Sequence, residues 1–161
     1  MRYPPLAIGL AVSTAFVVGI VVSPTVQHLV SEAHAQPAAS APAALGAMII
    51  DLAAIKHDDL GKTPNPELNS RMLVTTANAT IQLQSGNVKK HLHPMTDEIQ
   101  FIIEGSGSMW LGNERKDFKP GTLIVIPKGV AHAGSIVSTG PVKALAIKIP
   151  PQPATDTVSV D

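Results

Sequence analysis

The 161-residue chain has room for one domain and a short extension, and its 45% hydrophobic and 15% charged residues allow a packed core. Its formal net charge of zero offers neither the basic patch that nucleic acid requires nor a polybasic membrane surface. The absence of cysteine excludes disulfides, thiolate zinc sites, iron–sulfur clusters, thiol nucleophiles and a lipoprotein anchor, so any metal must sit on nitrogen and oxygen.

Residues 1–35 read as an export signal. Met1-Arg2 gives a short positive start, Leu6 to Val22 is almost wholly apolar, and Ala33-His34-Ala35 forms an A-x-A cleavage site before Gln36. The alternative is an uncleaved anchor, because the apolar run reaches the lower edge of a membrane span. A single arginine precedes the run, so the twin-arginine signal of folded export is missing. The expectation is a periplasmic or secreted protein without stable membrane association after cleavage.

Residues 36–69 read as an Ala/Pro-rich linker and N-terminal extension, with 36–47 disordered. Met48–Ile50 suggests a short strand, Asp51–Leu60 a helical turn, and Thr63-Pro64-Asn65-Pro66 a loop. From about residue 70 the pattern is all-β. Arg71–Thr76, Thr80–Gln84, Val88–His93, Glu98–Ile103, Ser108–Leu111, Arg115–Phe118, Thr122–Ile126, Val130–His132 and Val142–Ile149 read as strands, separated by Gly, Pro and Asn turns. The absence of an internal repeat points to one barrel over 70–149, and residues 150–161 read as a disordered tail. A barrel this small buries limited surface, which predicts a homodimer.

His91 and His93 lie two apart on a predicted strand, so both imidazoles project from one face and can share an ion. Glu98 opens the next strand and His132 lies in a distant one that barrel closure brings near. Gln100, two after Glu98, faces the interior, either to contact a ligand or to fill the lumen. Trp110 reads as core or as a pocket wall. His57, in the charged stretch KHDD, carries no assigned role.

Residues 86–105, GNVKKHLHPMTDEIQFIIEG, resemble the first motif of the cupin superfamily, a glycine followed by HxH, glutamate and glycine. Residues 121–136, GTLIVIPKGVAHAGSI, resemble the second, G-x5-P-x-G-x2-H. Four residues rather than the usual five separate Gly86 from His91, and the asparagine that commonly closes the second motif is missing. The resemblance implies a small single-domain jelly-roll β-barrel whose divalent metal is held by His91, His93, Glu98 and His132. It implies chemistry on a small anionic or oxygen-rich molecule, as a dioxygenase or decarboxylase, or else a non-enzymic binding module. The metal could be Zn, Cu, Ni, Fe or Mn. A chain that folds outside the cytosol is expected to take zinc, copper or nickel ahead of manganese and iron, and to release its ion below about pH 6 as histidines protonate.

Overall fold

The computed structural model describes residues 44–160. The expected export signal and residues 36–43 of the expected linker lie outside them. Residues 44–50 carry no regular structure and their side chains are exposed, so the strand expected at Met48–Ile50 is not formed. A single 3-10 turn, His57–Asp59, is followed by nine strands among the described residues: β1 (Gly61–Lys62), β2 (Leu68–Thr75), β3 (Thr80–Gly86), β4 (His91–Leu92), β5 (Asp97–Leu111), β6 (Glu114–Phe118), β7 (Leu123–Ile126), β8 (His132–Ile149) and β9 (Val158–Ser159). Every pairing is antiparallel, and the fold is the expected all-β barrel.

The β5–β8 ribbon is the frame. Its register runs from Asp97 opposite Ile149 to Leu111 opposite His132. Laid flat, such a ribbon would separate its ends by about 47 Å at the usual rise per residue. It is instead coiled through four register shifts, so that its two ends meet. Gly107 makes one bend feasible, because a Cβ there would stand 2.3 Å from the Ile136 carbonyl oxygen. The glycines expected to end a strand therefore bend a continuous one. For the same reason the predicted strands 130–132 and 142–149 are joined in β8, and 98–103 and 108–111 in β5.

One half of the lumen is filled by Ile102, Met109, Phe118, Ile124, Ile126 and Ala144. This apolar plug leaves the other half, bounded by β3, β4 and the ends of β5 and β8, for polar groups.

Two expectations about the edges are corrected. Residues 51–60 form a strap on the outside of the sheet, and residues 61–62 and 68–69 already belong to its strands β1 and β2, so the sheet begins before residue 70. Lys143, buried outside the lumen, donates from Nζ to the Ile55 carbonyl at 2.8 Å and the Ala53 carbonyl at 3.3 Å. His57 belongs to the same strap: its Nδ1 meets Ser85 Oγ at 2.9 Å and its Nε2 meets Asn69 Nδ2 at 3.2 Å, which gives it a structural role. Residues 150–160 are not a disordered tail. β9 pairs with β4, setting His91 opposite Ser159 and Leu92 opposite Val158, and Asp156 is 1% exposed.

Candidate metal centre

His91 lies on β4, His93 immediately beyond it, and His132 opens β8 directly opposite His91. All three are buried, and one donor nitrogen from each lies within 4.8 Å of the others. Each ring is oriented through its other nitrogen. His91 Nδ1 lies 2.8 Å from the Lys89 carbonyl, His132 Nδ1 lies 3.0 Å from the Val130 carbonyl, and His93 Nδ1 lies 2.6 Å from the Asp156 carbonyl. A carbonyl oxygen only accepts, so Nδ1 carries the proton in each ring. Nε2 then presents its lone pair inward, the arrangement that supporting carbonyls give to metal-binding histidines. Gln152 Nε2 also lies 3.0 Å from His93 Nδ1, but with that nitrogen protonated the amide bonds instead to the Asp156 carbonyl at 3.2 Å and Thr157 Oγ1 at 2.8 Å.

Glu98, near the start of β5, stands against two of the three rings. Its Oε2 is 3.1 Å from His93 Nε2 and 3.3 Å from His132 Nε2. With Nδ1 donating to the Val130 carbonyl, His132 Nε2 and Oε2 are both acceptors, and His132 Nε2 is a fully buried nitrogen without a partner. An inward-facing lone pair left unsatisfied in a buried ring, beside a carboxylate, is what a coordinated cation would satisfy. The donor set of three imidazoles and a carboxylate fits a divalent ion of the zinc, copper, nickel, iron and manganese group.

Burial pushes the His91 imidazole down to about 4, with partial opposition from its bond to the Lys89 carbonyl and further lowering from His132 and His93. Burial alone would raise the Glu98 carboxyl. The Lys148 ammonium and the Gln100 amide, which both donate to it, hold it well below the usual carboxylate range. The ring is thus poised with neutral His91 and anionic Glu98, as metal binding requires.

One residue of the centre was missed in the sequence. Lys148, near the end of β8, is 5% exposed and pairs across strands with Glu98. Its Nζ lies 3.1 Å from Glu98 Oε2 and 3.0 Å from His93 Nε2. The available signal was the alternation Ala144, Ala146, Lys148, which shares one face with the lumen; without the register, the lysine before Ile149-Pro150 looks like a solvated strand end.

Gln100 is where it was expected, half-buried in the lumen, and its Nε2 donates to Glu98 Oε1 at 2.9 Å. Trp110 is neither core nor wall of the cavity beside the ring. It is half-buried between two cations, with Lys90 Nζ 4.8 Å and Arg115 Cζ 5.1 Å from its ring. Its place on β5 turns it away from the lumen, because the adjacent Met109 takes the inward position in the core.

The ring opens on a cavity of about 190 Å³ bordered by His91, His93, Glu98 and Lys148, with Gln82, Gln84, Gln100, Gln152 and Thr157 as further polar walls. Drug-sized ligands need roughly 300–1,000 Å³, so the occupant of this space is small.

The uncharacterized protein MJ1618 of Methanocaldococcus jannaschii is 37% identical over 67 residues, which is 42% of this chain. The matched stretch is 54% of that relative, so the chain spans about half its length. Among solved structures, KdgF from Halomonas sp. has a TM-score of 0.50 at 16% identity, over 55% of this chain and 85% of that one. Pac13, a Streptomyces protein described as a nucleoside dehydratase, has a TM-score of 0.51 at 14% identity, over 65% of this chain and 88% of that one. At these identities the likeness is one of fold. The cupin domain profile matches residues 79–148, from β3 to the buried Lys148, and together with the antiparallel barrel this identifies a cupin superfamily domain in the chain.

Proposed function

We propose that the protein is exported, binds one divalent metal on His91, His93, Glu98 and His132, and acts there on a small anionic or oxygen-rich molecule, as an oxygenase or decarboxylase. The observation that supports this most is the set of three inward Nε2 atoms, each fixed by a carbonyl bond at Nδ1, with His132 Nε2 buried and unpartnered.

A bound ion would polarise a carbonyl or ionise a water. The chain supplies the rest. Lys148 gives the cavity a positive group of its own, and the amides of Gln82, Gln84 and Gln152 with the Thr157 hydroxyl offer hydrogen bonds to oxygen atoms. Leu68, Val88 and Ala133 close the cavity with apolar surface. This combination suits a carboxylate or hydroxy acid better than an apolar ligand. A non-enzymic binding module is the second reading, favoured by how many of the polar groups are already engaged with each other: Gln100 with Glu98, Gln152 with Thr157, and Lys148 with Glu98. We also propose that the chain pairs as a homodimer.

The test is metal analysis of the purified, exported protein, then binding of a panel of small carboxylates and hydroxy acids with oxygen uptake followed in parallel. One ion per chain, lost in His93→Ala, is the expected result. Failure of wild-type protein to retain any of the five candidate metals overturns the proposal. A bound ion with ligand binding but no turnover decides for the binding module.

A further inference from the structure

We infer that Lys148 is an internal competitor of the metal: its ammonium and the ion contend for the same two ligand atoms. The inference rests on the metal reading of the ring. His93 Nδ1 is committed as a donor to the Asp156 carbonyl at 2.6 Å, so in the neutral ring, the form that binds metal, the lone pair is on Nε2. That lone pair accepts from Lys148 Nζ at 3.0 Å. A single imidazole lone pair cannot take a hydrogen bond and coordinate an ion together, so the two states of His93 exclude each other.

Glu98 repeats the conflict. Its Oε1 is engaged by Gln100 at 2.9 Å. Its Oε2 is the oxygen that faces both His93 and His132, and it is also the oxygen that holds Lys148 at 3.1 Å. Two acceptors, Oε2 and His93 Nε2, stand 3.1 Å apart and repel unless a cation lies against both. The ammonium supplies that cation from within the chain.

The consequence is a His93–Glu98 pair that is electrostatically satisfied without metal, in a ring that binds metal more weakly than its donor set alone would. Entry of the ion requires Lys148 to leave Oε2 and His93. Its side chain borders the same cavity as Gln82, Gln84, Gln152 and Thr157, whose side-chain oxygens can receive it. There it remains close to the ion, as a second positive charge facing any anionic ligand.

The test compares wild type with Lys148→Met and Lys148→Arg. Zinc and nickel affinities are measured by competition with a chromogenic chelator, and thermal unfolding is measured on the metal-free proteins. Removing the charge should tighten metal binding by about tenfold or more while lowering the metal-free unfolding temperature, because Glu98 loses its cation. Lys148→Arg keeps the charge and should show no tightening. This opposition of metal affinity and metal-free stability is not expected of a lysine with a merely structural role. Should Lys148→Met not fold, Lys148→Gln removes the same charge with a polar side chain and reads the same quantities. Unchanged or weaker metal affinity in the neutral variant overturns the competition while leaving the metal site standing. Absence of metal binding in wild type and neutral variants alike overturns both.

Discussion

Burial of His91 has a consequence for stability whose sign can be worked out. An unfolded chain takes up a proton on this histidine as the pH falls through its ordinary value of 6.5, whereas the folded imidazole resists protonation down to about 4. Between those values the unfolded state binds more protons, so acid favours it, and His91 removes stability progressively as pH drops through that window. Urea unfolding of the metal-free protein at pH 7, 5.5 and 4 should show the midpoint falling at each step, and the fall should shrink in His91→Gln. A midpoint with the same pH dependence in both proteins would remove His91 as the cause. The same burial modifies the expected acid release of metal: protonation of His91 belongs nearer pH 4 than pH 6. At this scale the proposed metal ligands were legible because a two-residue step on a strand and a Pro-x-Gly turn before His132 stand inside stretches that resemble the two cupin motifs. Lys148 was not legible. A lysine's place in a lumen depends on strand register, and register depends on partners far away in the sequence, here Glu98 and Thr80.

The elements that hold the ring are uneven in length. β5 and β8 are long and coiled, and their turn chemistry made them visible even where glycines suggested breaks that the ribbon spans. β4 and β9 are two residues each, and their pairing is what keeps His91 and His93 in place. Nothing in the composition of residues 150–160 announces this. A two-residue strand has no period to detect, and the tail's contribution to His93 is a backbone carbonyl, which every residue type offers. The side chain that locks this carbonyl is Asp156, whose Oδ1 accepts the Met95 amide at 2.8 Å. Asp156→Ala leaves all four proposed ligands intact and removes only that lock. Supporting contacts of this kind typically change metal affinity by 10- to 100-fold. Asp156→Ala should therefore bind zinc or nickel at least about tenfold more weakly in a chelator competition, with its β-sheet circular dichroism retained. Wild-type affinity in a folded Asp156→Ala protein would show that the tail covers the site without orienting it.

Taken whole, the molecule divides its apolar residues between a core and an exposed sheet face. On the outer surface of β5, β7 and β8, Ile99 stands opposite Val125 and Ile147, and Phe101 opposite Leu123 and Leu145. Phe101, Leu123, Val125 and Ile149 remain exposed, Leu123 the most at 61%. Residues 51–60 strap the sheet where Lys143 anchors them and leave this patch uncovered. A second apolar surface lies in the exposed segment of Leu45, Met48 and Ile49. A small barrel buries a modest share of its surface, and contiguous apolar patches of this kind usually mark contacts between chains. The proposed homodimer would cover the patch with its copy across a two-fold axis, since self-complementary faces are the common route to closed pairs. Val125 lies opposite Ile99 on the side of the sheet away from the ring, so a charge placed there should act on assembly alone. Light scattering of Val125→Asp should give the mass of one chain where wild type gives two, and metal content should be the same in both. Wild-type protein that scatters as a monomer across the micromolar range would remove the homodimer, and a dimeric Val125→Asp would move its interface elsewhere.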